Sequence, residues 1–151
     1  FLLGAWYVFS SLSAFPHYLS YYNELAGGME NGYNIAGHSN YDWGQDLKRL
    51  AQWVAKQGVE TIYLDFFGRA EPSYYLGLKY IPWRGSSWWE LYGAEKQNPQ
   101  DFPRGNYLAV SASFLPAGGW SQTGEGRDYA WLEGKAPVAK AGSSIFIYYI
   151  E

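Results

Sequence analysis

The periods of apolar and polar positions change several times along this chain, and each change marks an element. The first fifteen residues, FLLGAWYVFSSLSAF, carry no charge. The run is shorter than the roughly 20 apolar residues needed to cross a bilayer. It also lacks the basic start and small-residue cleavage site of a signal peptide. The pattern predicts the end of a transmembrane helix, with Trp6, Tyr7, Tyr18, Tyr21 and Tyr22 where an aromatic belt belongs. A buried amphipathic helix of a soluble protein is the alternative. After Pro16, the residues Tyr18, Leu19, Tyr22 and Leu25 recur at helical spacing, and Gly27-Gly28 closes that pattern. The expected division is therefore 1–28, a membrane-helix end with an interfacial helix, and 29–151, an α/β domain.

The second part opens with a turn-rich stretch, Met29 to Gly37, containing a possible short strand at Tyr33–Ala36. A clear amphipathic helix follows. Asp42 and Gln45, three residues apart, have the shape of a capping box, and Asp46 suits the positive end of the helix dipole. Trp43, Leu47, Leu50 and Val54 share one face, Lys48, Arg49, Gln52 and Lys56 fall mostly elsewhere, and Gly58 is the natural stop. Thr61–Phe67 then reads as a strand bounded by Gly68. Residues 69–105 are aromatic and broken by Pro72, Pro82, Pro99 and Pro103, with short helices expected at Ser73–Leu78 and Ser87–Tyr92. A second strand, Tyr107–Phe114, leads into a Gly-rich loop from Pro116 to Gly126 and a short helix at Asp128–Glu133. Ser144–Ile150 is a third strong strand. Helices between strands predict βαβ units. The expected fold is α/β, a small three-layer α/β/α sandwich with a mainly parallel sheet of three or four strands.

Composition narrows the functional classes. The 151 residues, 48% hydrophobic and 17% charged, suit one folded core. Aromatic residues make up 21%, and Trp and Tyr, apolar bodies with polar tips, suit membrane interfaces, sugar-binding faces and protein interfaces, or an aromatic-rich core. A net charge of −3 with scattered Lys and Arg lacks the basic footprint of a nucleic-acid partner. The chain has no Cys and only two His, His17 and His38, so neither a disulfide framework nor a zinc site is expected. No G-x-G-x-x-G or phosphate loop follows a strand, so no nucleotide cofactor is implied. Ser111 and Ser113 have no nucleophile-elbow context.

The densest candidate chemistry lies between His38 and Leu47. Asp42 and Asp46 stand one helical turn apart, and paired carboxylates are what glycoside hydrolysis requires. They read most simply as cap and dipole residues, with Asn40, Trp43 or Gln45 free to face a ligand. Asp65, at a strand end, reads as structural. Arg69 could grip a phosphate or carboxylate in bidentate fashion. The candidate ligand-binding set is Asn40, Asp42, Trp43, Gln45, Asp46 and Arg69, with no catalytic residue and no metal ligand.

Three patches carry a family resemblance. Phe15–Gly28 resembles the stretch after the last transmembrane helix in bacterial lipid-carrier-dependent glycosyltransferases, relatives of the protein O-mannosyltransferases in glycosyltransferase family 39. Ser39-Asn40-x-Asp42-Trp43-Gly44-Gln45-Asp46-Leu47-Lys48 resembles the most recognisable motif of their C-terminal soluble domain, and Ala136–Tyr148 resembles their closing strand. His38 departs from the pattern, which carries an acidic residue there. The resemblance implies a parent enzyme at the cell membrane that moves a sugar from a polyprenyl-phosphate donor to a glycan or protein acceptor on the extracytoplasmic face. It also implies that the catalytic acid lies in an early loop that no position here matches. This domain alone is then expected to be inactive, and to bind the acceptor or cap the active site. The alternative is a free-standing carbohydrate-binding or protein-interaction module built on exposed aromatics.

Overall fold

Three runs of alternating large side chains build the centre of a sheet. The computed structural model describes residues 1–23, 25, 28, 32–34, 41–115 and 128–151. The strands are β1 (Ile62–Asp65), β2 (Tyr80–Pro82), β3 (Asn106–Ser111), β4 (Ala139–Ala141) and β5 (Ile145–Ile150), in the spatial order β2-β1-β3-β5-β4. The pairs β1–β2 and β1–β3 are parallel, whereas β3–β5 and β4–β5 are antiparallel.

Successive strand side chains face opposite ways, and the two faces have different covers. Ile62, Leu64, Ala109, Ile145 and Ile147 pack with Leu47, Leu50 and Val54 of helix α2 (Leu47–Gln57). Leu108, Val110, Phe146, Tyr148 and Ile150 point the other way, into Tyr41, Phe67, Trp83, Phe102, Phe114, Tyr129 and Leu132. The short helix α3 (Pro72–Leu76) leans on α2 and leads into β2. Leu47, Leu50 and Val54 fall on one stripe, which is why α2 is amphipathic. It ends at Gly58, whose φ of 65° gives the left-handed C-cap that a side chain would disfavour.

The α/β class is as expected, but the finer architecture differs. The sheet has five strands rather than three or four, and half of its pairings are antiparallel. The antiparallel part follows from a tight connection. Gly142 (φ 62°), Ser143 and Ser144 turn β4 straight back into β5, and a turn that short joins only antiparallel neighbours. Among the described residues the second face is covered by aromatic loops and short 3-10 turns, not by α-helices. Four prolines between 72 and 103 prevent the intervening segment from sustaining a long helix.

Several boundaries also move. Within the expected helix over 18–25, Tyr18–Ser20 form a 3-10 turn and Tyr21 is extended, while Glu24 lies outside the described residues. Tyr33 belongs to a 3-10 turn, Gly32–Asn34, rather than a strand. The rest of that expected strand and the Gly-rich loop at 116–126 lie outside the described residues.

At the other end, α1 (Leu2–Ser13) stands away from the sheet. Only Ser10 is buried in it, and Phe9 is 69% exposed. Twelve residues make a helix about 18 Å long. Among the described residues no helix is long and apolar enough to cross a membrane.

Candidate functional site

The carboxyl ends of β1 and β3 are the edge where α/β sheets usually place their ligands. Two assemblies meet there. One is a buried polar junction centred on residues 41–46, the other an open aromatic cleft.

The junction forms because residues 41–46 cannot extend α2. Asp42 Oδ1 accepts from the Gly44 amide at 2.9 Å, and Gln45 Oε1 accepts from the Trp43 amide at 2.7 Å. These local bonds compete with helix formation. With Gly44 at φ 78°, they delay the first helical residue to Leu47. The expected capping box is therefore absent: Asp46 is the N-cap residue, but its side chain bonds no amide of its own helix. It turns to the β4–β5 connection instead. Asp46 Oδ2 accepts from the Ser143 amide (3.0 Å), the Ser144 amide (3.0 Å) and the Ser144 hydroxyl (2.9 Å), while Oδ1 pairs with Arg49 at 2.6 Å. Gly142 lies so close to this carboxylate that a β-carbon there would collide with it.

Ser20 ties the N-terminal leg to the same point. Its hydroxyl donates to the Tyr41 carbonyl at 3.0 Å and accepts from Gln45 Nε2 at 3.1 Å, and the Ser143 hydroxyl lies 2.8 Å away. Tyr41, fully buried, donates to the Ser143 carbonyl at 3.1 Å. The three patches that carry the family resemblance thus meet in one hydrogen-bonded junction.

Asp42 is the unusual member. It is fully buried, and its Oδ2 has no hydrogen-bond partner. Burial pushes its carboxyl up to about 6, with the Ser111 hydroxyl, the Gly44 amide and the Ser144 hydroxyl pulling the other way. Neither Asp42 nor Asp46 reaches solvent.

The cleft, about 420 Å³ in volume, lies beyond the end of β1. Phe66, Tyr80, Trp88, Trp89 and Tyr92 line it, with Arg69 and Glu71. Its wall, a 3-10 turn over Ser87–Tyr92, is held by two buried carboxylates. Asp65 accepts from the Ser86 amide (2.8 Å), Trp89 Nε1 (2.8 Å) and the Tyr129 hydroxyl (2.7 Å). Asp128 accepts from the Ser87 amide (2.7 Å) and hydroxyl (2.8 Å), and pairs with Lys96 at 2.6 Å. Burial pushes the Asp65 carboxyl up to about 6 despite these bonds. Gly85 is required beside it, because a β-carbon there would sit 2.5 Å from the Tyr129 hydroxyl and 2.6 Å from Trp83 Nε1.

No protein-family model matches the chain, and no curated protein or solved structure matches it.

The residues singled out from the sequence divide between the two assemblies. Asp42, Gln45 and Asp46 come together in the junction. Trp43 sits on its outer side, half exposed, with its ring edge-on to Phe67 at 5.9 Å. Arg69 lines the cleft instead, and Asn40, like His38, lies outside the described residues. Sequence reasoning missed Ser20, Ser143 and Ser144 as partners, and missed the cleft. The signal for the cleft was the aromatic density of Tyr80, Trp88, Trp89 and Tyr92 around Pro82 and Gly85. Among the described residues no group of His, Asp or Glu side chains could hold a metal ion.

Proposed function

We propose that this chain is the extracytoplasmic, non-catalytic domain of a membrane glycosyltransferase that moves a sugar from a polyprenyl-phosphate donor to a glycan or protein acceptor. In this reading the N-terminal leg is the membrane-proximal end, and the α/β part sits over the reacting centre. It holds the acceptor and keeps water out. The observation that carries the reading is the convergence of the three resembling patches, at Ser20, at Asp42–Asp46 and at Ser143–Ser144, in one buried junction. A junction of this kind has a physical purpose in such an enzyme. The donor's lipid tail stays in the bilayer, so a domain helping the reaction must be held at a fixed angle to the membrane. Contacts remote from the reacting atoms can then position the acceptor. The uncharged helix α1, exposed over almost its whole surface, suits a lipid setting better than water.

The test is a transfer assay on the natural protein that carries this chain, in membrane vesicles supplied with polyprenyl-phosphate-linked radiolabelled sugar. Transfer is expected, and Asp46→Ala should lower it several-fold while the protein stays in the membrane. Absence of transfer from every polyprenyl-phosphate sugar tried would overturn the reading. The aromatic cleft favours a second one, a free-standing carbohydrate-binding or interaction module, which would bind its ligand without any transfer.

A further inference from the structure

We infer that the cleft beyond β1 binds an uncharged saccharide, a pyranose of one or two rings, and that Arg69 and Glu71 read its hydroxyl groups. This rests on the glycosyltransferase reading only for its biological setting.

Size and lining set the class. At about 420 Å³ the cleft is near the small end of ligand sites, which run from about 300 to 1,000 Å³. Phe66, Trp88, Trp89 and Tyr92 supply an apolar wall suited to the C–H face of a sugar ring. The Trp89 ring is held by its bond to Asp65, and Ser86 and Ser87 by Asp65 and Asp128. The wall is therefore formed before a ligand arrives, which lowers the ordering cost of binding.

The polar groups select among amphipathic ligands. Arg69 makes no hydrogen bond or ion pair among the described residues, and it is exposed at the cleft. Glu71 uses one oxygen, which accepts from the Ser73 amide at 3.2 Å and hydroxyl at 2.8 Å and from the Tyr80 hydroxyl at 3.5 Å; the other oxygen accepts no hydrogen bond among the described residues. The Ser73 hydroxyl and amide also hold the Glu71 carboxyl below its ordinary value, so it remains an anion. Arg69 and Glu71 line the same cleft yet form no ion pair, the described pairs being Arg49–Asp46 and Lys96–Asp128. An anionic ligand would be repelled by Glu71 and a cationic one by Arg69. A purely apolar ligand would strip water from both without replacing it. A polyhydroxylated ring satisfies all of these demands, since its hydroxyls donate to the carboxylate and accept from the guanidinium while its C–H face meets the aromatics.

The experiment titrates the whole 151-residue chain, held on phosphatidylcholine vesicles, with methyl hexopyranosides and the corresponding disaccharides. Glucuronate and inorganic phosphate serve as anionic probes, and binding is read by Trp fluorescence and saturation-transfer NMR. For a ligand of this size a Kd of about 1–10 mM is expected. Arg69→Ala, Glu71→Gln and Tyr92→Ala, all at exposed positions, should each weaken it about five- to tenfold with the thermal midpoint unchanged. Binding of phosphate or glucuronate in place of neutral sugars would overturn the inference. So would saccharide binding that survives all three substitutions, or no saccharide binding by the wild-type chain at about 100 mM, ten times the weakest Kd expected. The readout needs no transfer reaction. Saccharide binding here with no transfer by the natural protein would sink only the transferase reading, and transfer without binding would sink only the cleft.

Discussion

Removing the Asp46 carboxylate is the sharpest perturbation of the junction. Asp46→Ala leaves the partly buried amide of Ser143 and the buried amide and hydroxyl of Ser144 without an acceptor. A buried donor left unpaired costs about 1–3 kcal/mol. The hydroxyl can rotate toward another acceptor, so the two amides dominate. The Arg49 pair adds less than about 0.5 kcal/mol, because that side chain is 35% exposed and water screens it. The expected loss is about 3–5 kcal/mol, a large share of the roughly 5–15 kcal/mol that holds a domain together. Asp46→Asn keeps one acceptor oxygen and should lose about half as much. Urea unfolding followed by Trp fluorescence measures both. A loss below about 1 kcal/mol for Asp46→Ala would mean that water or another side chain takes over the two amides, and the junction would not be what fixes the β4–β5 turn. A double-mutant cycle tightens the argument. Gly142→Ala collides with the Asp46 carboxylate, so part of its damage should vanish in the Asp46→Ala background, leaving only the strain of its φ of 62°. Additive losses would refute the contact.

Three further outcomes follow from the same geometry. Asp42 and Asp65 have folded-state carboxyls near 6 against an ordinary 3.8, so the folded chain binds those protons more tightly than the unfolded one. Their contribution to stability is complete below about pH 4 and is lost as pH rises through 6, roughly 3 kcal/mol for each group. Asp42→Asn should therefore gain on the wild type in urea midpoint between pH 4 and 7, and a gap that ignores pH would refute burial as the cause. Trp43→Ala should cost only about 1–2 kcal/mol, because the ring is half exposed and full burial is worth about 3–5 kcal/mol; a thermal scan showing a larger loss would mean that the ring packs more deeply. Phe9→Glu, on the exposed helix α1, should weaken co-sedimentation with lipid vesicles by about tenfold or more, and unchanged sedimentation would exclude α1 as the lipid contact.

What the sequence disclosed depends on the range over which each feature is determined. The central strands were legible because Ile62–Asp65, Tyr107–Ser111 and Ile145–Ile150 are rich in β-branched and aromatic residues, a local property. The edge strands were not. Tyr80–Pro82 ends in proline and Ala139–Ala141 is Ala-Lys-Ala, so neither has much intrinsic preference, and both exist because a central strand offers them a partner. The amphipathic stripe of α2 was plain, but its start was misplaced by several residues. Asp42 and Gln45 turned to short-range bonds and Asp46 to Ser143 and Ser144, 97 and 98 positions away. No local pattern reports a partner that distant. Asp65 likewise looked solitary because Trp89 and Tyr129 reach it from 24 and 64 residues further on. The cleft escaped notice for the same reason: its aromatics are conspicuous in sequence, but the hollow between them exists only after β1 and β2 pair.

The position of β5 sets an order of events for a chain emerging from the ribosome. β5, later in the chain than both of its neighbours, lies inside the sheet, between β3 and β4. Until it appears, β3 presents an open ladder of amides and carbonyls to any neighbour, and Ser20 waits for Ser143, 123 residues later. Synthesis must therefore run past Ile150 before the parts can close on one another. A polypeptide released before β5 keeps an unpaired β3 edge and an unfastened N-terminal segment.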